Sequence, residues 1–362
     1  MKVSRYNGFM STTSELQLDT TVLGQEVPLN RVDQALRELW ADENTSKTRA
    51  SLMNVAIYSE DSSSLERNTQ LLGEITEQHS CRSLLIVNVP DAPKHTARAW
   101  VTAHCQLYDG KRSVCCEQLS FLMEGGTADS IRNFVFAHLD SDLPLTVWWQ
   151  GELTERLDER FYSVMDALIV DSSQWANPGS SLRRVLAARD SRTSRLMLSD
   201  LSWMRSRFMR LALAGACHDA KVLEELPNVN QIKITHGKGH RMSALMLVAW
   251  IGTQLKCRLA AGDSLRFERY GGATLNVTII ESDKACPLQS LELSGPDVSI
   301  SVSRDPDSCF IRSKMEHAHH QRDEVQPAGT SNDGDLIADQ MGRLGGTTLY
   351  FEMLPLLQSM LK

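Results

Sequence analysis

Two neighbouring stretches of the chain, residues 100–108 and 114–119, resemble strands, and the first alternates between small apolar residues and polar or aromatic ones. Alternation with period two is the pattern of β-strands, in which successive side chains point to opposite faces. Asp109-Gly110 lies between the two stretches, and this pair favours a tight turn. The pattern therefore predicts an antiparallel hairpin.

The loop length of this hairpin determines which side chains share a face. With a loop of two or four residues, Cys115 and Glu117 lie on the face of His104, and Cys116 lies on the face of Cys105. The first of these faces is polar and aromatic, which suits contact with another molecule. We therefore expect a binding surface there.

The pattern to either side of the hairpin alternates between strands and helices. Apolar runs bounded by turn residues predict strands at 53–58, 83–89, 145–149 and 167–171. Helical spacing predicts four helices in this part of the chain. The first covers 28–41 with Asn30 as its N-cap, and the second begins after a cap at Asp61. The other two lie at 130–139 and around 160–165. The fold class predicted for the N-terminal part is an α/β domain with a mixed sheet.

The first clear break comes at Asn177-Pro178-Gly179. We expect a mobile tail over 1–25, the N-terminal α/β domain over 26–177 and an α+β C-terminal domain over 178–362. Beyond the break, helices are predicted at 182–189, 201–216, 243–259 and 348–361, a strand at 231–235, an antiparallel sheet over 266–304 and a polar loop over 317–335.

Composition narrows the class of protein. The 362 residues carry a formal net charge of −7, which argues against nucleic acid as a partner because phosphates attract a cationic surface. No apolar run approaches the roughly 20 residues that span a bilayer, so no membrane is expected. The first residues lack the apolar core of a signal peptide, and the eight cysteines lack framework spacing. We expect a cytoplasmic protein with reduced thiols.

The cysteines of the hairpin are candidates for redox chemistry. Cys115 and Cys116 are neighbours and would point to opposite faces, so a bond between them would be strained. A bond from Cys116 to Cys105 across the hairpin is easier. Two packed thiols are the favoured interpretation, because free cysteine is among the most buried residue types.

Two segments are candidates for holding an anion. Asp171-Ser172-Ser173 follows a buried strand, where open α/β sheets place their ligand sites, although capping of the next helix is the commoner role. Lys238 and Arg241 flank glycine-rich sequence before a helix, and a flexible turn is the favoured interpretation there. His317-Ala318-His319-His320 lacks the remaining ligands of a metal site, so no metal is expected.

No nucleophile and base occur in a recognisable catalytic motif, and no glycine fingerprint for a dinucleotide is present. The residues favour a protein that binds over one that turns over substrate, with no cofactor. Trp148-Trp149 lies on a predicted strand, so one indole must point to each face. Either both faces are covered or one ring is left for a partner.

Ordered sequence blocks resemble the OpcA family, the glucose-6-phosphate dehydrogenase assembly proteins. The blocks are Val101 to Leu107 with Cys115-Cys116-Glu117-Gln118, His79-Ser80-Cys81-Arg82, Asp142 to Trp149, Asp171-Ser172-Ser173, Asp200-Leu201-Ser202-Trp203 with Arg205, and Ser243 to Trp250. Position 80 is Ser where the family often has Pro. The similarity covers roughly residues 50 to 260, and the last hundred residues align only by pattern.

The resemblance implies a non-catalytic accessory protein that binds the glucose-6-phosphate dehydrogenase oligomer, favours its active assembly and supports the oxidative pentose phosphate pathway. The residues expected to contact this partner are His104, Gln106, Glu117, Trp148 and Trp203. A sugar-phosphate enzyme or sensor using the Asp171-Ser173 strand end, or a thiol redox sensor, are the alternatives.

Overall fold

The computed structural model describes residues 21–41, 47–108, 112–140, 142–190, 196–262, 265–269, 272–284, 286–305, 308–317, 320–329, 332–342 and 348–362. The expected tail over 1–25 lies mostly outside these residues. In its last part, Leu23 is fully buried and a strand begins at Gln25.

The first half of the chain builds a nine-stranded sheet. Its strands are β1 (Gln25–Val27), β2 (Lys47–Arg49), β3 (Met53–Ser59), β4 (Cys81–Val89), β5 (Thr96–Tyr108), β6 (Arg112–Glu124), β7 (Leu145–Trp149), β8 (Ala167–Val170) and β9 (Met197–Asp200). The helices along this part of the chain are α1 (Val32–Leu39), α2 (Leu65–Gln78), α3 (Ala128–His138), α4 (Glu159–Tyr162) and α5 (Pro178–Asp190). Asn30 does not cap α1, whose N-cap position is Arg31 without a side-chain bond.

Six parallel strands form the centre of this sheet, in the order β6-β4-β3-β7-β8-β9. Numbered along the chain, the order is 3-2-1-4-5-6, which is the doubly wound order of dinucleotide-binding folds. β5 and β1 extend the sheet in antiparallel pairing beyond β6, which makes it mixed as expected. The predicted boundary at 177/178 lies before α5 and β9, and β9 is the last strand of this sheet.

The second half builds an eight-stranded sheet. Its strands are β10 (Gln231–Gly237), β11 (Arg258–Leu259), β12 (Arg266–Glu268), β13 (Thr274–Ser282), β14 (Leu288–Ser294), β15 (Val298–Arg304), β16 (Phe310–His317) and β17 (His320–Pro327). The helices are α6 (Leu201–Arg205), α7 (Arg207–Ala216), α8 (Ala220–Glu225), α9 (Arg241–Gln254), α10 (Asp333–Met341) and α11 (Thr348–Met360). The α/β and α+β fold classes are confirmed.

The second half corrects three predictions. The segment 317–335 is not a loop, because β17 pairs with β16 along its length and α10 follows. The predicted helix over 201–216 is interrupted at Ser206. In the predicted antiparallel sheet, β13 pairs in parallel with β10. Alternation identifies a strand but leaves the direction of its neighbour undetermined.

Helix α10 connects the two halves of the molecule. Leu336 and Ile337 pack in one apolar cluster with Leu72 and Ile75 of α2. His79, at the end of α2, places its Nε2 2.7 Å from the carbonyl oxygen of Ala338. Through α10, the C-terminal half therefore packs against α2 of the N-terminal half.

Candidate functional site

The hairpin of β5 and β6 forms as predicted, but its side chains are distributed differently. Cys105 lies opposite Cys115, and His104 lies opposite Cys116. Three residues, 109–111, separate the paired Tyr108 and Arg112, and residues directly opposite in an antiparallel pair share a face. An odd loop reverses the expected parity, so Cys115 does not share the face of His104.

A disulfide joins Cys105 and Cys115, whose Cα atoms are 4.0 Å apart. Cys105 is exposed and Cys115 is buried. Cys116 is a free, buried thiol, and burial raises its pKa. The favoured interpretation of two packed, reduced thiols is therefore wrong for Cys105 and Cys115, and the alternative bond from Cys116 to Cys105 does not form.

Glu117 lies on the opposite face from His104 and is 1% exposed, so it is no surface contact. Its carboxylate accepts hydrogen bonds from Trp40 Nε1 at 3.1 Å, from Arg49 Nη2 at 3.0 Å and from Arg82. A buried carboxylate needs such partners to offset its lost hydration. Glu117 therefore joins α1, β2, β4 and β6.

His104 and Gln106 are half-buried, near the end of the hairpin. The Nε2 atom of His104 is 2.7 Å from Oε1 of Gln118, and Gln118 in turn donates to Ser120 at 2.9 Å. His104 is thus part of a hydrogen-bonded row between the sheet and α2. Gln106 is free of any such role among the described contacts.

Trp148 and Trp203, the two tryptophans expected at the contact surface, are both buried. Trp148 is fully buried in one apolar cluster and Trp149 is 1% exposed in the other. Helices cover both faces of the central strands, so neither indole of β7 is left for a partner. Trp203 is 7% exposed, beneath the guanidinium of Arg210.

Asp171 lies at the carboxyl end of β8, as the sequence predicts, but it is not an anion site. Arg205 Nη1 and Nη2 donate to its two oxygens at 2.9 and 2.8 Å, and Arg205 also donates to Asp333 at 2.6 Å. Burial acts against ionisation of Asp171, but the bonds and charge of Arg205 outweigh it and lower the pKa. Ser173 donates to the same carboxylate, so Asp171 also caps the turn.

Asp200, at the end of β9, is fully buried beside this ion pair. Its Oδ1 accepts from the backbone nitrogens of Ser172 and Ser202, and the hydroxyl of Tyr350 lies 3.4 Å from Oδ2. Burial, together with the negative charge of Asp171, raises the pKa of Asp200 to about 7. Ser172 is therefore buried and occupied by a carboxylate, which excludes it from holding an anion.

The second predicted anion segment lies nearby. Lys238 and Arg241 are exposed. His240, between them, is near enough to the Asp171 network that Arg205 adds to burial in lowering its pKa. The fold thus brings the two segments close, with carboxylates where an anion was expected. The link from Arg205 to Asp333 had no signal in the sequence, since 128 residues separate them.

A cleft of about 450 Å³ lies between the carboxyl ends of β3 and β7, where the strand order reverses. Doubly wound folds bind the pyrophosphate of a dinucleotide at this position, on glycines that follow the first strand. Here the turn is Ser59-Glu60-Asp61-Ser62-Ser63-Ser64. The carboxylates of Glu60, Asp61 and Glu152 line the cleft together with Arg67.

Asp61 occupies the helix end that would meet a phosphate. Its Oδ1 accepts from the backbone nitrogen of Ser63 at 2.9 Å and from the hydroxyl of Ser63 at 2.7 Å. An anion at a helix N-terminus relies on those free N–H groups and on the positive end of the helix dipole. The carboxylate of Asp61 already accepts from the backbone N–H of Ser63 and adds a negative charge, so the cleft disfavours a phosphate.

The described part of the chain contains no group of three or more His, Cys, Asp or Glu side chains placed to hold a metal ion. Nor does any of its helices combine the length and apolar character needed to cross a membrane.

The chain is similar to two curated cyanobacterial proteins, both called OpcA and provisionally assigned to the OxPP cycle. It is 26% identical to the protein of Synechococcus elongatus over 193 residues, which are 52% of this chain and 42% of that protein. It is 25% identical to the protein of Synechocystis over 163 residues, 44% of this chain and 34% of that protein. The matched segments therefore span less than half the length of either relative.

Solved structures with a similar arrangement include a variant of a 3-ketoreductase from Actinomadura kijaniata, bound to NADP. It has a TM-score of 0.49 and 10% identity, covering 85% of this chain and 95% of that one. An aldose-aldose oxidoreductase from Caulobacter crescentus has a TM-score of 0.43 and 10% identity, covering 85% and 96%. At these values the likenesses support no conclusion about this chain.

Two family descriptions match the chain. Residues 73–187 match the N-terminal domain of the glucose-6-phosphate dehydrogenase subunit family, and residues 196–354 match its C-terminal domain. The matches together span most of the chain and include the Asp171 network, the later strands of the first sheet and all of the second sheet. The chain therefore belongs to the OpcA family of glucose-6-phosphate dehydrogenase assembly proteins.

Proposed function

We propose that this protein binds the glucose-6-phosphate dehydrogenase oligomer and favours its active assembly without catalysing a reaction itself. The family match supports the assembly role. The observation that carries the non-catalytic part is the Asp61 cap, which places a carboxylate where a dinucleotide fold holds its phosphates. The sheet thus has the strand order of a nucleotide-binding fold, with a carboxylate at the position where such folds bind phosphate.

Activation follows from mass action. A protein that binds one oligomeric state better than another shifts the population toward that state by the difference in affinity. The gain is largest where the dehydrogenase is dilute and would otherwise dissociate. It shrinks as the concentration of the dehydrogenase rises.

We place the contact on the open face of the second sheet. On one face, residues such as Ile232, Ile300 and Ile311 are buried beneath helices. The opposite face of the same strands is solvent-exposed among the described residues, at positions that alternate with the buried ones. A stable interface needs about 800 Å² from each partner, and a broad sheet face supplies such an area.

Exposed apolar side chains lie on this face. Phe310 is 49% exposed and Val325 is 56% exposed, on neighbouring strands β16 and β17. Ile280 on β13 is 39% exposed. Serines of β15 and charged residues such as Lys233 and Glu292 separate them. Apolar residues within a polar surround are typical of protein–protein contacts.

The test is a binding and activation assay with the dehydrogenase of the same cell. We expect the two proteins to co-elute in gel filtration and the activity to rise at limiting dehydrogenase. Phe310→Glu should weaken both effects, because it places a charge at the contact. Leu52→Glu is the matched control, since Leu52 is 70% exposed and precedes β3 of the other sheet.

The outcomes separate the role from the surface. Failure of the wild-type chain to bind the dehydrogenase across salt and redox conditions rejects the assembly role. Binding that Phe310→Glu leaves intact rejects the sheet face. Gln106→Ala then tests the hairpin, because Gln106 and His104 are the partly exposed members of the contact set that the sequence suggested.

A thiol-sensing role is the second candidate, and the Cys105–Cys115 disulfide favours it. The exposed Cys105 is open to a reductant. If the bond controls the partner contact, dithiothreitol changes activation by wild type and not by Cys105→Ser. Equal activation with and without reductant rejects this role.

A further inference from the structure

A cleft of about 290 Å³ lies at the junction of the two halves, at the free edge of β9. Side chains from α6, α7, α9 and α11 line it, among them Trp203, Arg210, Trp250 and Tyr350. Ligand pockets are commonly found at such junctions, and this volume lies near the lower end of their range. The proposed function does not involve this cleft.

Arg210 is a largely buried cation that no carboxylate contacts among the described residues. Its Nε donates to the hydroxyl of Ser206 at 3.0 Å, and its Nη2 donates to the carbonyl of Trp203 at 3.3 Å. The guanidinium carbon lies 3.4 Å from the ring centroid of Trp203. Burial, together with the like charge of Arg207, lowers the pKa of Arg210 to about 9. Five N–H groups are available and two are engaged, so the guanidinium retains donors for another acceptor.

Trp250 provides a second unsatisfied donor. Its Nε1 is buried and has no acceptor in the part of the chain that the structure describes. A buried N–H without a partner costs free energy, and a bound acceptor removes that cost. The indole of Trp250 lines the same cleft as Arg210, but its N–H group is not accessible from the cleft.

The cleft is cationic in an acidic protein. Arg207 also lines it, 34% exposed, with its Nη1 3.3 Å from a carboxylate oxygen of Asp339. Two guanidinium groups and one carboxylate give the lining a net charge of +1, whereas the whole chain carries −7. Asp339 opposes an anion on its own side of the cleft, so the position nearer Arg210 is the favourable one.

The body of the cleft is apolar and aromatic. Trp203 and Tyr350 form buried walls, while Leu211 and Leu349 stand at the rim, 51% and 43% exposed. Exposed leucines beside a buried aromatic wall suit a flat apolar group that covers them.

We propose that this cleft binds a small organic anion, a carboxylate or phosphate ester attached to a planar apolar group. The anionic oxygens accept from Arg210, whose guanidinium retains free N–H groups. The planar group lies against the apolar lining beneath Leu211 and Leu349. This inference does not rest on the proposed function, because it concerns a small molecule that binds to the chain in the absence of the dehydrogenase.

Calorimetric titration of the purified chain tests the site, with phenyl phosphate as the probe. We expect saturable binding of one molecule per chain, with a dissociation constant at or below about 1 mM. Inorganic phosphate lacks the ring and benzyl alcohol lacks the charge, so both should bind more weakly. Absence of saturation by phenyl phosphate, or equal binding of benzyl alcohol, overturns the proposal.

Two variants locate the site. Arg210→Gln should weaken binding by about 10- to 100-fold, since it removes hydrogen bonds from a charged donor. Because Arg210 is buried, its variant needs a circular dichroism check. Leu211→Glu avoids that risk by adding a negative charge at the exposed rim, and it should also weaken binding.

Leu223→Glu is the matched control, because Leu223 is 58% exposed on α8 and does not line the cleft. Its affinity should equal that of wild type. If Leu211→Glu binds phenyl phosphate as tightly as Leu223→Glu does, the anion lies elsewhere and the assignment is wrong.

Discussion

At the scale of residues, the chain places carboxylates in its interior and surrounds each with donors. Glu117 is held by Trp40, Arg49 and Arg82, and Asp171 by Arg205. Several of these residues belong to the sequence blocks that carry the family resemblance. In this structure they join elements to one another, which indicates an architectural role.

Glu117→Gln should lower the free energy of unfolding by about 3 kcal/mol, since it leaves the guanidinium of Arg82 without its negatively charged partner. Urea denaturation measures the change. Glu26→Gln is the control, because Glu26 pairs with Arg98 at the surface, where such pairs contribute less than about 1 kcal/mol. Equal losses in the two variants would contradict the importance given to burial.

Asp200 predicts a pH dependence of stability. Its folded pKa of about 7 exceeds the ordinary value of 3.8, so the folded state holds a proton that the unfolded state releases. Stability from this group is therefore present at low pH and falls by about 1.4 kcal/mol per pH unit as pH rises toward the folded pKa. Asp171 acts in the opposite direction. Its pKa is lowered in the folded state, so its contribution to stability is lost only as the pH falls into the acid range.

Asp200→Asn should remove this slope, because asparagine keeps an acceptor oxygen for the backbone of Ser202 and cannot ionise. Urea midpoints for wild type and variant, measured between about pH 5 and pH 7, show the difference. Parallel profiles would show that Asp200 does not retain its proton.

At the scale of elements, the hairpin of β5 and β6 is held by a local cross-link, whereas the helix α10 depends on contacts far along the chain. The disulfide closes the end of the hairpin, and α10 covers α2 of the first half. Both contacts are open to direct measurement.

The Cys105–Cys115 bond should protect the hairpin. Six of the eight cysteines should react with a thiol reagent in denaturant without reductant. Reduction should lower the free energy of unfolding by about 2–3 kcal/mol, because it releases the cross-link in the unfolded chain. Cys105→Ser should show no further effect of reductant. Eight reactive thiols in the untreated protein would exclude the bond.

Ile337→Ala should cost about 2–4 kcal/mol of unfolding free energy, since Ile337 is fully buried between α10 and α2. Hydrogen exchange should rise at both helices. Leu223→Ala, at an exposed site, should change stability by less than about 0.5 kcal/mol. Faster exchange confined to α10 would mean that α2 does not depend on this contact.

At the scale of the whole molecule, the first sheet has the strand order of a dinucleotide-binding fold and an acidic turn where phosphates bind in such folds. The second sheet offers a broad exposed face. The combination favours an accessory protein, with its functional surface away from the switch point of the first sheet.

The purified chain should bind neither NADP nor NADPH and should oxidise no glucose 6-phosphate with either nicotinamide cofactor. The carboxylates of Glu60, Asp61 and Glu152 repel a pyrophosphate in the cleft they line. Calorimetry and an absorbance assay measure the two quantities. Saturable nucleotide binding, or turnover above a contaminant control, would show that the acidic cleft accepts a dinucleotide.

The sequence by itself determined most of the elements and their order. Strands β3, β4, β7 and β8 follow from apolar runs bounded by turn residues, and Asp61 and Asp171 cap where the pattern places them. These features depend on residues close together in the chain, so local propensity and periodicity are sufficient to predict them.

The tertiary structure alone decided which residues meet. A loop of three residues, instead of two or four, moved Glu117 to the face opposite His104 and placed Cys105 against Cys115. Helices on both faces buried Trp148, and folding brought Asp333 to Arg205 across 128 residues. Such contacts depend on strand register and on packing between distant segments, which no local pattern encodes.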